Sequence, residues 1–138
     1  MNHAELIQEA KKARANANCP YSQFAVGAAL LTEEGKVYTG CNIENAAYGP
    51  SNCAERTAFF KAVSEGERSF LRIAIVGGPA GDETSATCAP CGVCRQVMRE
   101  FCDPERFEIL LEDGTGGIKV YTLSQLFPEG FGPENLQA

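Results

Sequence analysis

Cys53-Ala54-Glu55-Arg56, followed further along by Pro90-Cys91-Gly92-Val93-Cys94-Arg95, is the part of this chain from which the rest is read. Together the two motifs offer three thiolates and one free carboxylate. A closed structural zinc site takes four protein ligands, whereas a catalytic one keeps three and leaves the fourth position to water or substrate. Three cysteines with a carboxylate two residues from the first therefore point to a zinc hydrolase, with Cys53, Cys91 and Cys94 as ligands and Glu55 moving protons. Cys-x-x-Cys alone fits structural zinc or thiol redox chemistry better. The added Cys-Ala-Glu-Arg shifts the reading to a catalytic site, because neither rival role needs Glu55.

Both motifs fall at expected helix starts, Asn52 serving as cap before Cys53 and Pro90 occupying the first turn before Cys91 and Cys94. Unpaired amides and the helix dipole there favour thiolate over thiol. Residues i and i+3 share a helix face, so Cys91 and Cys94 can grip one ion. Zinc lowers the pKa of a bound water toward about 7. Three thiolates would leave the centre with a net negative charge that works against this, so a cation should offset it. Arg56 beside Glu55 and Arg95 beside Cys94 are the expected guanidinium donors to sulfur. Cys88, three residues before Cys91, is a competing fourth ligand. Cys19, Cys41 and Cys102 are expected as packing residues, and His3, the one histidine, as a solvated terminal residue.

A chain of 138 residues can bury a core as a single domain spanning 1–138, without disulfide staples. Its net charge of −6 and the lack of a basic stripe argue against DNA or RNA and for a small neutral substrate. No apolar run approaches membrane-spanning length and the N-terminus lacks a secretory pattern, so a cytoplasmic location is expected, with no membrane partner. Seven cysteines, an odd number, fit reduced thiols and metal ligands better than disulfides.

Leu6, Ile7, Ala10, Ala13 and Ala17 recur at helical spacing, predicting an amphipathic helix over 4–17 that Asn18-Cys19-Pro20 ends. Strands are expected over 24–31 and 36–42 around the turn Glu33-Glu34-Gly35, forming a hairpin. A helix follows to about Ser64, then an apolar strand over 70–76, a loop over 77–89 and a helix ending near Phe101. Strands over 107–111 and 118–121 flank Asp113-Gly114, and a short helix over 124–127 precedes a Gly/Pro-containing tail. Helix, two strands, helix, strand, helix, two strands predicts an α/β class, an αβα sandwich around a five-stranded mixed sheet. Strand order does not follow from this pattern.

Beyond the two ligand motifs, the chain carries Pro20-Tyr21-Ser22, Phe24-Ala25-Val26-Gly27-Ala28-Ala29-Leu30 and Gly40-Cys41-Asn42-Ile43-Glu44-Asn45-Ala46-Ala47-Tyr48, then Cys53 to Ala58 and Pro90 to Gln96. In this order, over nearly the whole length, it resembles the small homotetrameric cytidine deaminases of nucleoside salvage, whose ligand-and-glutamate signature is that of the zinc-dependent nucleobase deaminases. The resemblance implies a sheet ordered 2-1-3-4-5, a zinc ion, and a homotetramer whose active sites borrow residues across interfaces. It implies that Asn42 and Glu44 hydrogen-bond the ribose 3′-hydroxyl and that Phe24 walls the base. It further implies that the Ala54 amide meets the pyrimidine O2 and the Ala89 carbonyl the amino group. Ala89 stands where Ser or Thr is common, a change that a backbone contact survives. Tyr48 and Phe131 match aromatic positions supplied from neighbouring subunits, although Glu129-Gly130 replaces the small residues usual before the latter.

The expected activity is hydrolysis of cytidine and 2′-deoxycytidine to the uridines with release of ammonia. Two rivals stand beside it: a related deaminase acting on a modified cytosine nucleoside or a cytosine-containing antibiotic, and a structural-zinc or thiol-redox protein without catalysis. The Asn42-Ile43-Glu44-Asn45 run argues against the first, and Glu55 against the second.

Overall fold

The computed structural model describes residues 1–83 and 86–136. α1 (His3–Arg14) opens with Asn2 and Glu5 reciprocally capping each other and carries Lys11, Lys12 and Arg14 in its last turn, where cations favour the helix dipole. Its buried stripe is Leu6, Ile7 and Ala10. The expected helix to Ala17 stops three residues early. Residues 15–17 instead turn tightly, because Asn18 is drawn into backbone pairing with Asn42 and Glu44.

β1 (Phe24–Thr32) and β2 (Val37–Cys41) form the expected hairpin, followed by α2 (Ala54–Ser64), β3 (Phe70–Pro79), α3 (Gly92–Phe101), β4 (Glu108–Glu112), β5 (Ile118–Thr122), the short α4 (Leu123–Leu126) and a 3-10 turn at Pro133–Asn135. The five strands make one mixed sheet ordered β2-β1-β3-β4-β5. Only β3 and β4 are parallel, and α3 makes their crossover. β3 runs past the expected end at Val76 because Gly77, Gly78 and Pro79 pair with Val26, Ala25 and Phe24 of β1. Ladder bonds override the weak strand preference of glycine and proline at that edge.

α1 covers one face through Leu6, Ile7 and Ala10 against Ala29, Leu31, Ala74, Val76 and Leu110. α2 and α3 cover the other, where Phe59 is fully buried against the rings of Phe70, Phe101 and Phe107. Strand alternation explains the division: Ala28 and Leu30 face α2, while Ala29 and Leu31 face α1. Phe60, one residue beyond Phe59, points outward and is exposed. This is the α/β sandwich expected from the element order.

Two glycines set how closely the helices approach the sheet. A Cβ at Gly40 of β2 would stand 2.4 Å from the Ala54 carbonyl oxygen and 2.6 Å from the Ala58 nitrogen. One at Gly27 of β1 would stand 2.1 Å from the Ala10 oxygen. Gly40 thereby lets the first turn of α2 lie directly on β2, and that turn carries half the ligand motifs.

Candidate active site

Cys53 and Cys91 are the cap residues of α2 and α3, each in extended conformation and neither using its side chain to cap its helix. Asn52, the expected cap of α2, lies one position too early and pairs its backbone with Ile43 and its amide with Thr57, while Pro90, expected in the first turn of α3, precedes the cap of that helix. Where serine or aspartate would satisfy the free amides, these helices present a thiol aimed outward. Cys94 lies inside the first turn of α3 and is buried.

The Cys53 and Cys91 sulfurs are 3.7 Å apart, Cys91 and Cys94 3.5 Å, and all three lie within 4.8 Å of one another. A tetrahedral ion bound at about 2.3 Å from each sulfur requires sulfur separations of about 3.8 Å, so the triad has the size of such a site. Among the described residues this is the one group of three or more such side chains arranged to hold a metal. Cys88 stands outside it. It is not among the side chains whose ligand atoms come within 4.8 Å of one another, and burial pushes its thiol up to about 11.

The electrostatics of the triad also fit a cation. A hydrogen bond from Cys94, with help from Arg56, pulls the Cys53 thiol down to about 5, while Cys94 is held up in turn by its bond to Cys53 and by burial. Crowded sulfurs resist ionising together, and a divalent cation removes that resistance. Arg56 donates from Nη2 to the Cys53 sulfur at 3.2 Å, as the charge argument requires. Arg95 departs from expectation. It donates to the carbonyls of Pro90 (2.8 Å) and Leu126 (2.9 Å) instead of to sulfur, so it braces the chain just ahead of Cys91 without balancing thiolate charge.

Glu55, on the first turn of α2, is 4% exposed. Burial, and then the nearby Cys53 thiolate, raise its carboxyl to about 7. It lines a cavity of about 300 Å³ together with Cys53, Cys91, Ala54, Ala89, Phe24, Asn42 and Glu44. One wall therefore brings together thiols and carboxyl from two helices, and another brings residues from β1 and the segment after β2.

Asn42 accepts from the Val26 amide and donates to the Phe24 carbonyl, both at 2.8 Å, which fixes its amide against β1. Glu44 accepts from the amides of Tyr21 and Ser22 and from the Ser22 hydroxyl. Those bonds hold its carboxyl below the usual carboxylate range. Ser22, Val26 and Cys88 also line the cavity. Ser22 lies in Pro20-Tyr21-Ser22, but nothing local to that motif reveals its hydrogen bond to a residue beyond β2.

Tyr48 and Phe131 stay outside this cavity, 71% and 55% exposed. Tyr48 meets Tyr21 edge-on, its ring centroid 5.9 Å away. It adopts a left-handed backbone, φ +62°, uncommon for a non-glycine residue. The Phe131 carbonyl accepts from Gln96 of α3. No helix among the described residues is long and apolar enough to cross a membrane.

Comparison with known proteins bears on the same residues. The family model described as the cytidine and deoxycytidylate deaminase zinc-binding region matches residues 1–109. The chain is 51% identical over 136 residues to the cytidine deaminase of Sporosarcina psychrophila, covering 99% of this chain and 96% of that protein. It is 48% identical over 136 residues to that of Halalkalibacterium halodurans, covering 99% and 98%. The crystal structure of cytidine deaminase from Burkholderia pseudomallei superimposes with a TM-score of 0.85 at 49% identity, covering 95% of this chain and all of that one.

Proposed function

The chain belongs to the cytidine and deoxycytidylate deaminase family, and we propose that, as one domain over 1–138, it hydrolyses cytidine and 2′-deoxycytidine to uridine and 2′-deoxyuridine with release of ammonia. The observation that carries this reading is the single cavity in which a buried carboxyl with a near-neutral pKa stands beside a metal-sized triad of thiols.

Cys53, Cys91 and Cys94 would hold zinc, and Arg56 offsets part of their charge. Zinc, when bound, supplies an activated water for attack on C4 of the pyrimidine. Glu55 takes a proton from the attacking water, delivers it to ring N3 and later passes a proton to the leaving amine. Burial, the largest cause of the rise in the Glu55 pKa, moves the carboxyl toward neutral pH, where a group both accepts and releases a proton readily. The Ala54 amide donates to O2 and the Ala89 carbonyl accepts from the amino group. Phe24 walls the base, and Asn42 and Glu44 receive the ribose 3′-hydroxyl. The bonds these two already make to β1 and to the Tyr21-Ser22 turn hold them still before substrate arrives.

We further read the working form as a homotetramer in which Tyr48 and Phe131 reach neighbouring sites. This accounts for two large aromatic side chains left in solvent. Seven unpaired thiols suit a reducing cytoplasm, and the proposed activity on free nucleosides is one of pyrimidine salvage. Purified protein given cytidine should release ammonia in step with loss of cytidine absorbance, contain one zinc per chain, and scatter light as four chains. Zinc-loaded protein that leaves both nucleosides unchanged would overturn the activity.

A further inference from the structure

The cavity has an apolar corner beside Phe24 whose other two side chains, Val26 and Cys88, have no role above. Gly77 of β3 lies opposite Val26 of β1. A Cβ at Gly77 would stand 2.7 Å from the Cys88 sulfur, 3.1 Å from Val26 Cγ2 and 3.2 Å from Phe24 Cε1. Cys88, Val26 and Phe24 all line the cavity, so three side chains converge over a residue that has none. The Cys88 thiol occupies the space where the Gly77 side chain would be, set back into the sheet by the absence of that one carbon.

The polar edges of the pyrimidine are already assigned: O2 to the Ala54 amide, N3 to Glu55, the amino group to the Ala89 carbonyl, and N1 to the sugar. The edge that remains is C5–C6, the one carbon-only edge of the ring. Apolar surface is matched by apolar surface, and the Cys88–Val26–Phe24 corner is the part of the lining that offers it. Cys88 adjoins Ala89 in the chain and lines the same cavity, so with the amino group held at the Ala89 carbonyl, C5 is the ring atom this corner would meet. We propose that Cys88, set back by Gly77, is the specificity-determining residue for the C5 position, its sulfur setting how large a C5 substituent this corner takes.

This inference rests on the deaminase reading, and the experiment separates the two. Zinc-loaded wild type, Cys88→Ala, Gly77→Ala and the double variant are assayed for ammonia release from cytidine, 5-methylcytidine and 5-iodocytidine. The quantity read is kcat/KM for each substituted substrate relative to cytidine in the same enzyme, a ratio that general loss of folding or metal does not move. A methylene's worth of space in an apolar pocket changes selectivity by about 10- to 200-fold. Cys88→Ala should therefore raise the 5-iodocytidine ratio by about tenfold or more. Gly77→Ala, which drives the thiol toward the cavity, should lower it by a similar factor. The double variant, in which the added methyl meets no sulfur, should return toward the wild-type ratio. Ratios unchanged in both single variants, or a double variant as restricted as Gly77→Ala, would overturn the assignment of Cys88. Absence of cytidine turnover by the wild type would instead overturn the reading on which it rests.

Discussion

Arg56 Nη2 donates to the Cys53 sulfur at 3.2 Å, from a position three residues along α2 from the cap. The guanidinium thus sits on the one sulfur of the triad whose thiol pKa is pulled down to about 5, and its charge acts on Cys94 as well. The Cys94 hydrogen bond is the larger cause of the Cys53 shift and Arg56 the next stabilising one. The contact is a charge-assisted hydrogen bond to a ligand atom, the kind of support that tunes a metal from outside its coordination sphere.

Replacing Arg56 by glutamine should weaken zinc binding or turnover by about 10- to 100-fold, the usual cost of losing such a partner. Competition against a chromophoric chelator measures the first, and turnover at full zinc occupancy the second. If neither changes, the guanidinium is a packing element of α2 and the charge argument fails.

Glu55→Gln should keep the fold and the zinc while losing about 10²–10⁴-fold or more in turnover, because the carboxyl moves protons and does not coordinate. Metal content and circular dichroism check the first half, steady-state kinetics the second. Activity within a few-fold of wild type would remove Glu55 from the chemistry.

The same substitution has a second effect in metal-free protein, where its sign is fixed by burial. Glu55 titrates near 7 when folded and near 4.5 when unfolded, so between those values the folded chain binds the extra proton. Stability contributed by this group is greatest below about pH 4.5, declines as pH rises, and reaches its full penalty above pH 7, on the order of 3 kcal/mol. Glutamine cannot ionise and escapes that penalty. Metal-free Glu55→Gln should therefore be more stable than metal-free wild type in urea at pH 8, with the gap closing toward pH 4. Loss of the carboxylate charge also eases ionisation of the neighbouring thiols, which acts in the same direction at high pH. A mutant less stable than wild type at pH 8 would contradict the raised carboxyl.

Gly40→Ala and Gly27→Ala both push a helix off the sheet, at a cost of about 1–3 kcal/mol for overpacking. Their effects on activity should differ. Gly40 touches the first turn of α2, which carries Cys53 and Glu55, whereas Gly27 touches α1 on the opposite face of the sheet. Matched for stability by temperature, Gly40→Ala should lose the greater share of kcat/KM. Equal losses would mean that the helix–sheet distance at Gly40 does not position the site.

What the sequence determined by itself was local. Helical spacing in α1, the two strands around the Glu33-Glu34-Gly35 turn, and two thiol motifs at helix starts follow from contacts between near neighbours, and those are written into adjacent residues. The ordered motifs also carried the family, and with it the strand order, which periodicity alone left open. Tertiary structure decided the rest. Arg56 and Arg95 both adjoin a ligand motif, yet only Arg56 meets sulfur, because Arg95 is turned toward carbonyls of Pro90 and Leu126. β3 continues through Gly77-Gly78-Pro79 because β1 is there to pair with it. The Glu55 carboxyl rises toward neutrality only when α2 packs down and water is excluded. The recess at Gly77 exists only where β3, β1 and the segment before α3 meet. Each of these depends on atoms far apart in the chain, whose meeting no short-range pattern specifies, since it is set by how the whole sheet pairs and which faces its helices bury.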